Sequence, residues 1–235
     1  MRSVLRQGHP LALYCYARPR GVPEGVRVEE AAEILPQELV LRHQRGSVAL
    51  FSDWFRYELQ RRTLGTWIDT DVYLVAPIEI ADPYVLAEYE MDKINGAVLR
   101  LPPDSPMLPA LLEPFESRTT PDWLPWYWKY PARARELLAG KADLSRMPWG
   151  SVGTYAVTAL AHRFGVASQA QPPEVFHPAA WRDAHWIADP ERRVEEFVTA
   201  KTIGIHLWNE CIKDIKNTPA PDGSFLRRLQ REGGD

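Results

Sequence analysis

Apolar positions recur along this chain at two different periods. Between residues 50 and 62, Leu50, Phe51, Trp54, Phe55 and Leu59 fall three or four apart, with Asp53, Arg56, Gln60 and Arg61 between them. That is the spacing of an amphipathic helix, and Ser52 and Asp53 carry oxygens suited to capping its start. Gly65 marks a turn, after which residues 66–68 and 72–75 read as short strands. Other strand-like runs cover residues 11–16, 85–89, 96–101 and 202–207, and helical ones 28–34, 107–115, 133–139, 152–161, 192–199 and 225–231. Residues 121–131, PDWLPWYWKYP, are aromatic and proline-bounded with no clear period. Alternating strands and helices predict an α/β architecture with a largely parallel or mixed sheet.

Composition narrows the class. The 235 residues are long enough for one sizeable core and need no second domain. They are 45% hydrophobic and 25% charged, the make-up of an ordinary globular protein. A net charge of -3 gives no electrostatic case for nucleic acid. Cys15 and Cys211 form neither a C-x-x-C pair nor a disulfide framework, which suits a reducing compartment. No apolar run approaches the roughly 20 residues needed to span a bilayer, and the first residues lack the apolar core of a signal peptide. The expectation is a cytoplasmic protein, with peripheral work at a membrane surface left open. The 21 prolines and 9 tryptophans stand out, the prolines predicting short elements joined by rigid turns.

The densest chemistry lies at Asp69-Thr70-Asp71. Residues i and i+2 of an extended segment point to one side, so two carboxylates can converge near a strand end. Two hard oxygen donors are what Mg²⁺ or Mn²⁺ takes from a protein when a substrate phosphate supplies further ligands. Alone, D-x-D is more often a solvated turn than a metal site, but apolar strand-like runs on both sides favour a cleft. Haloacid-dehalogenase-type phosphatases also place D-x-D after a strand, yet they need a second acidic pair at a later strand end, which this sequence lacks. No P-loop, G-x-G-x-x-G or zinc pattern is present.

Ser52, Asp53 and Arg56, followed by Leu64-Gly65 and Asp69-Thr70-Asp71, resemble the shared block of DxD-motif sugar transferases. That group includes bacterial capsule and lipopolysaccharide glycosyltransferases and the yeast initiating mannosyltransferase. Thr66 stands where the family has a second glycine, and Ile68 where it has an aromatic residue. Further likenesses keep the family's order: Asn95-Gly96-Ala97-Val98; WGSVGTYAVT from Trp149, with Thr154 in place of proline; Phe176-His177-Pro178; and Ile205-His206-Leu207-Trp208-Asn209.

The resemblance implies a GT-A-like, Rossmann-type nucleotide-sugar-binding domain over residues 1–235, with a mixed sheet flanked by helices. It implies a retaining, Mn²⁺- or Mg²⁺-dependent hexosyltransferase moving a sugar from a nucleotide donor, a UDP-sugar favoured over a GDP-sugar, to a glycan or lipid-linked acceptor. Asp71 would be the principal metal ligand, Asp69 would contact ribose or share the ion, and His206 would complete the shell or serve as an ordinary strand-end histidine. Asp53, Arg56 and Asn95 would hold the nucleotide or the donor sugar. Trp126 and Trp128 fit acceptor stacking, a membrane interface, or simple packing of a loop on the core. Relatives carry a first strand ending in a tryptophan-containing turn that this chain starts too late to include. A catalytically weak or inactive nucleotide- or sugar-binding relative, with an incomplete donor pocket, is therefore the second expectation.

Overall fold

Short strands and helices do alternate, in many small pieces. The computed structural model describes residues 1–233. In chain order the elements are α1 (Arg2–Arg6), β1 (Leu11–Cys15), β2 (Val26–Glu30), α2 (Ala49–Arg61), β3 (Trp67–Ile68), β4 (Val72–Leu74), β5 (Val85–Glu90) and β6 (Lys93–Arg100). They continue with α3 (Met107–Ser117), α4 (Trp126–Ala139), α5 (Thr154–Arg163), α6 (Pro173–Phe176), β7 (Gly204–His206) and α7 (Phe225–Gly233).

The fold is mixed α/β, with helices around three small sheets rather than one large one. β1 and β2 pair in parallel, β3-β6-β5 form an antiparallel sheet, and β4 pairs antiparallel with β7. Of the two expected pairings, mixed and largely parallel, the mixed one is found: among the described strands only β1 and β2 pair in parallel. β5 and β6 are joined by only Met91 and Asp92, a tight connection that permits antiparallel neighbours alone. Along β5 the side chains alternate: Leu86 packs with Phe55, Leu111 and Leu160 on one face, Val85 and Ala87 with Val72, Leu74 and Phe176 on the other. The sheet is thus covered on both faces, with α2, α3 and α5 on the first. A third cluster joins Ile205 of β7 to Trp186 and to Phe225 of α7. Between β1, α2 and β3 lies a cavity of about 590 Å³, and no strand hydrogen bonds link β1 to β3 among the described residues.

Several expectations are corrected. Ser52 and Asp53 do not cap α2. Ser47 Oγ accepts the Ala49 N–H at 3.1 Å, so the helix starts earlier and Asp53 lies a turn inside it. The helical turn expected within residues 28–34 is confined to Ala31–Glu33, because Val28–Glu30 continue strand β2, paired along β1. Residues 192–199 hold one short turn, Val194–Glu196, tied by Glu196 to Arg192 and to the Arg193 N–H. The periodless aromatic stretch is the start of α4, a 14-residue helix that continues through Pro131. No described helix is long and apolar enough to cross a membrane.

Candidate metal centre and its cleft

β3 ends at Ile68 and β4 begins at Val72, so Asp69-Thr70-Asp71 links strands of two different sheets. The Asp69 N–H donates to the Ala97 carbonyl at 2.7 Å, extending the β3–β6 ladder, and Leu207 N–H donates to the Asp71 carbonyl at 2.8 Å, extending β4–β7. Val72 pairs with His206. This register carries a histidine from far along the chain to Asp71, placing its Nε2 3.3 Å from Asp71 Oδ2.

Ligand atoms of Asp69, Asp71 and His206 all lie within 4.8 Å of one another. Ligands on opposite sides of a small divalent ion stand about 4.2 Å apart, so shifts of about half an ångström close the set around one ion. Two carboxylates and one imidazole suit Mn²⁺ or Mg²⁺ better than a soft ion. His206 is buried, and its Nδ1 has no hydrogen-bond partner. Its ring lies 4.2 Å from that of Trp208, which is fixed by a 2.9 Å bond from Nε1 to the Ala179 carbonyl and adopts a left-handed φ of 53°. Burial works against ionisation of Asp71. The hydrogen bonds from His206 and the Asn209 N–H outweigh it, holding the carboxyl below its ordinary value.

Beside this set lies a buried charge cluster. Arg56, rising from α2, reaches Asp69 at 3.3 Å and Asp53 at 3.5 Å, and donates to the Gly96 carbonyl at 2.5 Å. Its guanidinium lies 5.2 Å from the Trp67 ring centroid, and Trp67 Nε1 donates to Asp69 Oδ1 at 2.6 Å. Burial disfavours the Arg56 charge, but Asp69 and Asp53 more than compensate and raise its pKa. For Asp53 burial wins. Its pKa rises to about 6, with Arg56 opposing and Asp69 assisting. Two glycines make room: a Cβ on Gly96 would overlap Arg56 Nη1, and one on Gly153 would stand 2.6 and 2.9 Å from the Asp53 carboxylate oxygens. Inside a packed interior such overlaps can be relieved only by moving the charged groups.

Both sets open into one cleft of about 330 Å³, lined also by Asn95, Trp149 and the segment Gly150–Thr154. Asn95 Oδ1 accepts the Ala97 N–H at 2.7 Å, which leaves its NH₂ for a ligand. Asp53, Arg56, Asp69, Asp71, Asn95 and His206 therefore all line the cleft. Trp126 and Trp128 do not. Trp126 is exposed, and Trp128 touches the cleft wall indirectly, through a 5.1 Å edge contact with Tyr155.

Three roles follow from contacts rather than from sequence pattern, although Gly153 and His177 fall inside segments that resemble the family's. Trp67 orients Asp69, Gly153 admits Asp53, and His177 backs the Asp69–Asp71–His206 cluster, its ring 5.3 Å from His206. His177 is buried, with Nδ1 2.8 Å from the Glu88 carbonyl; burial and neighbouring His206 lower its pKa to about 3 despite that bond. Comparison of the chain with protein-family models, curated proteins and solved structures finds no match.

Proposed function

We propose that this protein is a metal-dependent glycosyltransferase of GT-A type, taking a sugar from a nucleoside-diphosphate donor, UDP favoured, to a hydroxyl acceptor on a glycan or lipid-linked sugar. The observation that carries the reading is the convergence of Asp69, Asp71 and His206 beside the Asp53–Arg56 pair in one cleft. Asp71, Asp69 and His206 are the residues that would hold Mn²⁺ or Mg²⁺. When bound, the ion supplies Lewis-acid stabilisation of the negative charge that builds on the leaving diphosphate.

Charge balance explains why a cation belongs here. With one arginine against Asp53, Asp69 and Asp71, the bare cleft repels an anionic diphosphate at short range, and a divalent ion reverses that. Arg56 stays ionised and keeps Asp69 oriented, while the free edge of the Asp53 carboxyl and the Asn95 NH₂ suit donor-sugar hydroxyls. Asp53, titrating near 6, is able to accept a hydroxyl proton in a hydrogen bond near neutral pH. We name no covalent nucleophile, so front-face attack by the acceptor hydroxyl with retention is the economical route.

A nucleotide- or sugar-binding protein without turnover is the second reading. The separation of the β1–β2 pair from the β3-β6-β5 sheet by an open cavity favours it. Thermal-shift assays with UDP and GDP, with and without Mn²⁺, followed by a UDP-sugar hydrolysis panel, decide between them. Metal-dependent nucleotide stabilisation with slow donor hydrolysis supports the transferase. Stabilisation without hydrolysis of any donor supports the binding protein, and no stabilisation by either nucleotide removes the transferase and the nucleotide-binding form of the second reading.

A further inference from the structure

We propose that α4 is an interfacial helix that seats the protein on an anionic lipid bilayer. The inference stands independently of the transferase reading. Among the fourteen residues of α4 only Ala132 is buried. At about 100° per residue, Trp126, Leu137, Tyr130, Ala134, Tyr127 and Leu138 share an arc of about 120°. That arc contains no charged residue, and it faces away from the protein. Trp126 is 69% exposed, Tyr130 65%, Leu137 85% and Leu138 90%. The helix is therefore amphipathic in the reverse sense of an ordinary surface helix, whose apolar stripe faces the core.

The charges fit a lipid surface. At about 100° per residue, Arg133 lies about 20° outside the apolar arc on one side and Arg135 about 60° outside it on the other, beyond Pro131, and both are exposed without an ion pair among the described residues. Lys141 lies just beyond the helix end and is exposed too. The single acid of the helix, Glu136, is turned toward the body of the protein, where it accepts the Thr120 N–H at 2.8 Å. Cations flanking a Trp-, Tyr- and Leu-rich face are what an in-plane helix needs: leucines enter the acyl boundary, indole and phenol rings sit at headgroup depth, and arginines reach lipid phosphates. At about 1.5 Å per residue the helix is about 21 Å long, too short to span the hydrocarbon core.

A second copy of the chain fits this face less well. Two-fold pairing sets the same arc against itself, bringing the arginine borders together with no acid on the arc to pair with them. The patch also leads toward the cleft. Trp128, on the packed side of α4, meets Tyr155 edge-on at 5.1 Å, and Tyr155 follows Thr154 of the cleft wall. Tyr155 and Trp149 are themselves exposed, so an amphiphile held in the bilayer would meet the cleft near its mouth.

Sedimentation with vesicles tests this, using phosphatidylcholine alone and phosphatidylcholine with about one-quarter phosphatidylglycerol. The wild type is expected to partition onto the anionic vesicles, with a blue-shifted tryptophan emission and binding that weakens as salt rises. The double variants Trp126→Ser with Tyr130→Ser, and Arg133→Glu with Arg135→Glu, should each lose about tenfold or more in partitioning. Their melting temperatures should stay near wild type, because the side chains are exposed; should either variant fail to fold, quenching of wild-type tryptophan by brominated lipid replaces it. No wild-type binding at millimolar anionic lipid would overturn the proposal, as would undiminished binding by both folded variants or an absence of brominated-lipid quenching. A concentration-dependent dimer that Tyr130→Ser dissolves, without vesicle binding, would assign the face to a second copy instead.

Discussion

Replacing Asp53 with asparagine is expected to stabilise the metal-free protein progressively as pH rises. The Asp53 carboxyl lies inside α2, with its side chain only 14% exposed, and its pKa moves from an ordinary 3.8 to about 6. Burial is the main cause. Arg56 opposes it, and the charge of Asp69 adds to it. A folded-state pKa above the unfolded one means that the folded protein binds this proton more tightly. The resulting penalty is absent well below pH 4, grows between about pH 4 and 6, and is complete above. Just over two pKa units correspond to about 3 kcal/mol, of which about 2 kcal/mol develops between pH 4.5 and 7.5. Asparagine keeps the shape and stays neutral, so it removes that pH-dependent part whatever its constant offset. Urea unfolding in EDTA, followed by tryptophan fluorescence, measures the difference in stability between variant and wild type across this range. The difference should grow by about 2 kcal/mol in favour of the variant. A difference that stays flat, or moves the other way, would refute the description of Asp53 as a carboxylate held against its preference.

His177 should show the opposite slope. Its folded pKa of about 3 lies below the ordinary 6.5, so its contribution is fully present above about pH 6.5 and is lost as pH falls toward 3. Against His177→Asn, which keeps a donor for the Glu88 carbonyl, metal-free wild type should lose about 2–3 kcal/mol of relative stability between pH 7.5 and 4.5 in the same urea assay; parallel pH profiles would argue against a buried neutral imidazole. Gly153→Ala forces a methyl against the Asp53 carboxylate and should lower stability by about 1–3 kcal/mol; an unchanged melting temperature would show that α5 moves freely away from α2. Asp71→Ala should abolish Mn²⁺ binding measured by electron paramagnetic resonance while leaving the far-ultraviolet spectrum intact; retained stoichiometric binding would place the ion elsewhere.

How much of this was legible in the sequence depended on whether the deciding interaction was local. The 3.6-residue period found α2 to within a residue at each end, because its apolar stripe faces the core as the period assumes. Capping by Ser52 or Asp53 does not follow, since either oxygen could cap and only the tertiary position of Asp53, against Gly153, shows that it does not. The strand-like runs flanking Asp69 and Asp71 were visible, but their partners were not. Pairing of β4 with β7 is a long-range choice of register, and it alone sets His206 beside Asp71. Order along the chain suggested His206 as a partner through family resemblance; the physical reason appears only in the ladder. α4 was missed as a helix from residue 126 because its apolar residues face solvent and Pro131 interrupts the expected pattern. Trp67 reads only as part of a strand-like run and His177 only as part of the Phe176-His177-Pro178 likeness, and their roles rest on contacts to side chains that no local pattern encodes.

Recruitment of a nucleoside diphosphate by a divalent ion on Asp69, Asp71 and His206 is tested by calorimetric titration of UDP into the protein with Mn²⁺ and with EDTA. UDP is expected to bind in Mn²⁺, to show no heat in EDTA, and to be lost in Asp71→Asn at the same Mn²⁺ concentration. Equal binding of UDP in EDTA, or none by the wild type at millimolar UDP and Mn²⁺, would contradict it.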